Sequence, residues 1–337
     1  MSITRRTILA AAPAAAAATT IGSAALAQTA APAPAPAQPP AQAPAAGAAG
    51  ARQAPGFYRY KVGDVEVTAV HDGSFAIPTK GFVRNAEQDQ VDQVAQDVFM
   101  PAGQVVIPIT TLVLNQGGRV TLLDTSRGAA APGGNWMANL RAAGFDPAQV
   151  NTIVISHFHG DHIGGIRGQD GAATFPNAEV MVPAQEWAFW MDDGKMSQAP
   201  DAMKGAFQNV RRVFGPIAKD VKQYEGGKEI VPGLTTVAAP GHTPGHTAFM
   251  LSSGQGKLMV MSDTTNHPAL FVRNPDWAAV FDMDADQARQ TRRKLLDMAA
   301  AEKTRVSFYH APFPATGYIA KEGNGFRFVP AQWTGTL

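Results

Sequence analysis

From position 57 onward, the apolar residues of this 337-residue chain fall into short runs separated by glycines and other turn residues. Tyr58–Lys61 and Val65–Val70 flank Gly63-Asp64, and Thr110–Leu114 and Val120–Leu123 flank Gly117-Gly118. Each pair predicts a β-hairpin, because such dipeptides tolerate the positive φ that tight turns demand. Val150–Ile155 predicts a buried strand, and Leu234–Ala238, Ala248–Leu251, Leu258–Met261, Arg305–Tyr309 and Phe326–Val329 predict further strands. Trp136–Ala143 predicts a short helix ended by Gly144, and Asp284–Ala301 a longer one on which Arg292, Arg293 and Lys294 are expected to be largely solvated. Strands in both halves with helices between them predict an α/β fold, two sheets packed face to face with helices outside. No internal repeat is evident.

The first 55 residues read differently. Residues 28–55 are almost all Ala, Pro, Gln and Gly, with little bulky apolar surface to bury, and predict a semi-extended linker. Residues 1–27 place Arg5-Arg6 before a long Ala-rich run that closes on Ala25-Leu26-Ala27, the pattern of a twin-arginine export signal. A membrane anchor is the competing reading, but a run that is mostly alanine and interrupted by Pro13 is weakly hydrophobic for a spanning helix. The expectation is a periplasmic or secreted protein without stable membrane insertion after processing, its catalytic domain spanning residues 56–337.

Composition narrows the chemistry. Hydrophobic residues make up 45% of the chain, enough for a sizeable core, and only 16% are charged. A net charge of +1 offers no basic field for nucleic acid, so a small molecule is the expected partner. The chain has no cysteine, which excludes disulfides, thiolate zinc, cysteine-ligated iron–sulfur clusters and a cysteine nucleophile. Any metal is left to imidazoles and carboxylates.

Histidine is scarce, and its placement is not even. Of 8 in the chain, three fall in Ser156-His157-Phe158-His159-Gly160-Asp161-His162, directly after the Val150–Ile155 run. His157 and His159 are two apart, so an extended backbone projects both to one side. Gly160 then lets the chain turn, and Asp161 and His162 can face a second spot nearby. Further ligands follow other strands: His242 and His246 in the rigid turn Pro240-Gly241-His242-Thr243-Pro244-Gly245-His246, Asp263 after Leu258–Met261, and His310 after Arg305–Tyr309. A lone strand-end Asp or His is commonly structural. Counting one histidine of the turn, the set has the composition of a two-metal site, five imidazoles and two carboxylates, suited to zinc but also to manganese, cobalt or iron.

The order H-x-H-x-D-H, G-H-T-P-G-H, strand-end Asp, late His resembles that of the metallo-β-lactamase-fold hydrolases over roughly residues 57–335. Within that superfamily the chain is most similar to the exported methyl parathion hydrolase group, through Ala142-Ala143-Gly144-Phe145, Phe175-Pro176-Asn177-Ala178, Val231-Pro232-Gly233 and Gly325-Phe326-Arg327-Phe328-Val329-Pro330. The resemblance implies an αβ/βα sandwich of two mixed sheets with metals at one edge. It implies one metal on His157, His159 and His242, another on Asp161, His162 and His310, and Asp263 bridging them. His246 is then a packed turn residue, and a homodimer is implied as well.

Two divalent cations that share a water lower its pKa towards neutrality and polarise the oxygen that gains charge, which points to hydrolysis of a small neutral ester, lactone or phosphotriester. Asp161 is the expected proton carrier. Trp190, by resemblance, and His267, four positions beyond Asp263, are candidate pocket residues, while His71 reads as a surface or supporting group. Trp187, Phe189, Trp277, Tyr309 and Phe313 are either further pocket wall or core. Two departures leave the substrate open: residues 128–133 lack the aromatic of phosphotriester-cleaving relatives, and Thr264-Thr265-Asn266 lacks the tyrosine of many acyl-homoserine lactonases. Competing readings are a mononuclear iron enzyme that oxidises sulfur compounds, a β-lactamase-like amide hydrolase and a non-catalytic metal-binding module. An acidic residue stands at the position of His159 in the diiron redox members, which favours hydrolysis here.

Overall fold

The computed structural model describes residues 53–128 and 134–337. The expected export signal, all of the expected linker but residues 53–55, and residues 129–133 of the segment compared above lie outside them.

Fourteen strands form two sheets of seven among the described residues, each strand beside its neighbour in sequence. The first sheet contains β1 (Phe57–Val62), β2 (Val65–Pro78), β3 (Gln104–Gln116), β4 (Arg119–Leu123), β5 (Val150–Val154), β6 (Glu179–Pro183) and β7 (Lys222–Tyr224). It is antiparallel from β1 to β4 and parallel from β4 to β7. The second holds β8 (Glu229–Val231), β9 (Leu234–Ala238), β10 (Thr247–Ser253), β11 (Gly256–Ser262), β12 (Arg305–Phe308), β13 (Thr316–Glu322) and β14 (Gly325–Pro330). Only β11 and β12 pair in parallel there, joined by a crossover helix as parallel neighbours require. Both predicted hairpins form: Val62 pairs with Val65 across Gly63, and Gln116 with Arg119 across Gly117-Gly118.

The alternation of each strand decides which layer it fills. Val65, Val67, Ala69, Leu112 and Leu114 meet Leu234, Phe249, Leu251, Leu258 and Val260 between the sheets. The opposite face of the first sheet is covered by α2 (Trp136–Ala142), α4 (Ala184–Trp190) and α6 (Asp201–Phe214), with Leu140, Trp190, Phe207 and Phe214 against Ile153 and Val180. On the second sheet α8 (Ala285–Glu302) packs Leu295, Leu296 and Ala299 onto Met259, Met261, Val306 and Phe308. The result is the expected four-layer sandwich. The helix begins on Asp284, whose carboxylate accepts the Gln287 amide as an N-cap.

One expectation about α8 is overturned. Arg292, placed in a solvated charge run, is completely buried. It occurs one helical turn before Leu295 and Leu296, on the side that faces the sheet. Its guanidinium donates to the carbonyls of Thr264, Pro275 and Trp277 and to Asp282, so every buried donor that matters has an acceptor.

Candidate metal centre

Every candidate ligand follows the C-terminal end of a strand, and these ends meet at one edge of the sandwich. β5 runs into His157, β9 into the Pro-Gly turn, β11 into Asp263 and β12 into His310. Gly241 has φ +121, and a Cβ there would lie 2.2 Å from the Ala288 amide nitrogen of α8, so only glycine lets the turn approach that closely. Between His159 and Gly164 the chain makes one helical turn, α3 (Gly160–Ile163), which swings Asp161 and His162 away from His157 and His159.

Ligand-type atoms gather in two groups, each within 4.8 Å: His157, His159, His242 and Asp263, then Asp161, His162 and His310. Asp263 joins them. Its Oδ2 is 3.3 Å from His242 Nε2 and 3.2 Å from His310 Nε2, while its Oδ1 is 3.3 Å from His162 Nε2. The partition implied by resemblance is thus also the spatial one. His246 stands apart as a linchpin: Nδ1 donates to the Ala239 carbonyl at 2.8 Å, and Nε2 accepts the Asp263 amide at 3.1 Å.

Outer nitrogens of four candidate ligands are tied to the protein, which in the neutral ring places the proton outward and turns the inner nitrogen's lone pair toward the centre. His162 Nδ1 lies 2.8 Å from Asp124, His242 Nδ1 3.1 Å from Asp282, His310 Nδ1 2.8 Å from the Pro108 carbonyl, and His157 Nδ1 3.0 Å from Ser156 Oγ. Asp124, on the end of β4, also accepts both the amide and hydroxyl of Ser156. The Tyr309 hydroxyl donates to the Asp161 carbonyl at 2.6 Å and its ring stacks on His162. Glu186 of α4 accepts the Phe158 and Gly245 amides and the Trp190 indole, binding the histidine loop to the Pro-Gly turn.

The electrostatics describe a cradle for positive charge. Burial opposes ionisation of Asp263, yet His310 and His162 hold its carboxyl well below the usual range. Burial likewise disfavours charge on His162 and His310, but neighbouring carboxylates, Asp263 foremost, raise both. His242 is pushed up to about 9 by Asp263 and Asp282 against the same penalty. His157 and His159 go well below the ordinary value through burial and adjacent imidazoles. Two inward atoms, His162 Nε2 and Asp263 Oδ1, are buried without a hydrogen-bond partner. Two facing atoms buried this close without partners are costly unless a proton or a metal cation lies between them, and the N/O donor set suits a borderline divalent ion. The residues fit the metals that the sequence pattern implies.

A cavity of about 300 Å³ opens onto these atoms, walled by Phe75, Ile107, Phe281 and Asn266 beside the ligand residues, with no Lys or Arg among the described lining residues. Trp190 is not on that wall, a correction to the sequence expectation. It is 1% exposed, packs on Phe207, and approaches His159 only edge-on at 6.5 Å. His267 likewise borders a separate groove with Pro268, Pro312 and Phe328, and its Nδ1 accepts the Ala269 amide at the start of α7 (Pro268–Phe271). His71 packs at a tilt against Phe313, with ring centroids 5.6 Å apart, and belongs to neither ligand group.

A family model described as the metallo-beta-lactamase superfamily matches residues 105–310. The chain is 26% identical over 172 residues to an N-acyl homoserine lactonase of Bacillus sp, an alignment covering 51% of this chain and 60% of that protein. It is 25% identical over 203 residues to the N-acyl homoserine lactonase AttM of Agrobacterium fabrum, covering 53% and 70%. The curated relatives are thus matched over only part of their length. Among solved structures, AidC, a dizinc quorum-quenching lactonase in complex with a product, superposes with a TM-score of 0.79 at 27% identity over 83% of this chain and 99% of that one. The hydrolase AbOPH does so with 0.78 at 27% identity over 84% and 100%. Among the described residues no helix is long and apolar enough to cross a membrane.

Proposed function

We propose that this chain, which belongs to the metallo-beta-lactamase superfamily, is a dinuclear metal-dependent hydrolase whose substrates are small neutral lactones. The observation that carries the reading is Asp263, whose two oxygens each face an imidazole of a different ligand group. Likeness to a dizinc lactonase over nearly all of that protein supports the bond type. In this reading His157, His159 and His242 hold one cation, Asp161, His162 and His310 the other, and Asp263 both; zinc is the proposed metal.

When bound, such a pair of cations supplies an activated water and a Lewis acid for the carbonyl oxygen. The chain does the rest. Asp161, with its side chain 23% exposed, is the ligand carboxylate best reached by substrate, and it takes the role of moving the proton to the alkoxide that leaves on ring opening. Tyr309 holds the backbone of Asp161 in place for that transfer. Phe75, Ile107 and Phe281 exclude water and receive an apolar arm of the substrate.

The test is metal analysis of the purified protein with a hydrolysis panel of lactones, aryl esters, phosphotriesters and β-lactams. Two metals per chain and turnover of lactones above the other classes are expected, and Asp263→Ala should lose metal and activity together. Full turnover by a metal-free variant ends the proposal; preference for phosphotriesters moves it to that class. Export is a separate proposal, resting on Arg5-Arg6 and the Ala-rich run. Changing both arginines to lysine should hold the precursor in the cytoplasm, and an unchanged periplasmic yield would sink it.

A further inference from the structure

We infer that the cavity between the start of α2 and the loop after α3 binds a small phosphorylated molecule, whose phosphoryl group is held by Arg127, Arg167 and Arg212. It shares no described lining residue with the cavity over the candidate metal ligands.

The volume is about 840 Å³, and the described lining carries three guanidiniums against one carboxylate, Asp170. The arginines come from separate elements: Arg127 from the segment after β4, Arg167 from the loop after α3 and Arg212 from α6. Two net positive charges thus gather at one concavity on a chain whose total is +1. Among the described residues neither Arg167 nor Arg212 has a carboxylate partner. Arg167 donates to the Gly171 carbonyl and Arg212 to Asn209 Oδ1 at 3.0 Å, whereas Arg211 beside it pairs with Asp193. Asp72 takes the Nε of Arg127 at 3.1 Å but also serves the Ser126 hydroxyl and the Asn135 and Trp136 amides. It orients the guanidinium from one edge, and the Arg127 side chain stays 18% exposed. Cations brought together in a concave site repel one another and focus a positive potential, which an anion relieves.

The frame that presents them is rigid. A Cβ on Gly164 would lie 2.5 Å from the Arg127 carbonyl oxygen and one on Gly165 2.0 Å from that of Thr125, so the loop sits flush on residues 125–127. Thr125 in turn donates its amide and hydroxyl to the His162 carbonyl. A phosphate monoester brings about two negative charges at pH 7 and strong acceptor oxygens that guanidinium forks engage in pairs. Three forks and two net charges match that head group better than a lone carboxylate. The remaining volume, beside Trp136 and Met137, accommodates a small organic remainder.

The experiment titrates the metal-replete full chain with glycerol 3-phosphate by calorimetry at low ionic strength, with acetate as the monovalent control. One equivalent is expected to bind with Kd below about 1 mM, at least about tenfold tighter than acetate, and to weaken as salt is added. Arg212→Ala and Arg167→Gln should each weaken binding about tenfold, with metal content and hydrolytic activity unchanged. A phosphate seated on the metals instead would survive both substitutions and vanish on chelation, and that result overturns the inference. So does a wild type that binds acetate as well as the phosphate ester. Capture by phosphatidic acid vesicles without titration by the soluble ester would assign the arginines to a membrane surface and overturn it too.

Discussion

Arg292 Nη2 donates to Asp282 Oδ2 at 3.0 Å, and both side chains are completely buried. The other oxygen of Asp282 lies 3.1 Å from His242 Nδ1, and the same guanidinium grips the carbonyl of Thr264, next to Asp263. One arginine on α8 therefore steadies two proposed metal-ligand positions that are far apart in sequence. Burial lowers Arg292 and Asp282 only partly offsets it; burial raises Asp282, but the hydrogen bond and charge of His242, with Arg292 behind them, bring it below the usual carboxylate range.

Removing one partner of such a pair leaves the other charge stranded. Arg292→Ala should cost about 3–5 kcal/mol of stability, measured by denaturant unfolding against wild type. Asp282→Asn keeps the shape but weakens the hold on His242, and metal affinity at that position should fall about 10- to 100-fold in chelator competition. Equal affinity in the two proteins would show that His242 needs no such support.

The contrast between what could and could not be read in advance follows from distance along the chain. Ligands were legible because each sits directly after an apolar run, where a strand ends and its side chains meet those of other strands. Asp124 obeys the same rule, following Val120–Leu123 as Asp263 follows Leu258–Met261, and that parallel is the signal by which it could have been found. Asp282 has no such flank, and Arg292 sits in a run of three cations that reads as a solvated face until the helix is laid on its sheet. Trp190, a pocket candidate by resemblance alone, misled for a different reason: here its indole is committed to Glu186 and its ring to the helix layer. The strands β6, β7 and β8 and the helix α1 (Gln88–Asp97) are short or polar enough that pattern alone does not set them apart from loops.

His267 offers a pH test with a definite sign. Burial, and then the charge of His310, lower it from 6.5 to about 4, so the native state keeps it neutral while the unfolded chain takes up a proton first. Between pH 6.5 and 4 the unfolded state binds more protons, and stability drops as pH falls through that window; above it the contribution is fully present. The full effect is roughly 3 kcal/mol. His267→Asn can retain an acceptor for the Ala269 amide but cannot titrate there. Urea midpoints at pH 7 and pH 4.5, at equal metal load, should diverge less in the variant. Parallel losses in the two proteins would remove His267 from the acid limb.

Glu186 is a buried carboxylate without a cationic partner among the described residues, raised by burial despite the hydrogen bonds that favour its charge. Three N–H donors converge on it, from Phe158, Gly245 and Trp190. Phe158 lies between His157 and His159, and Gly245 beside His246, so this acceptor clasps two ligand-bearing loops at once. Glu186→Gln replaces one acceptor oxygen by an N–H group facing donors, and the loss should be about 1–3 kcal/mol of stability. Because both loops carry ligands of the cation proposed for His157, His159 and His242, metal at that position should loosen more than at the other. Partial chelation that strips both positions at the same rate in wild type and variant would confine Glu186 to packing alone. Selective release of one equivalent from the variant would mark it as the brace between the loops.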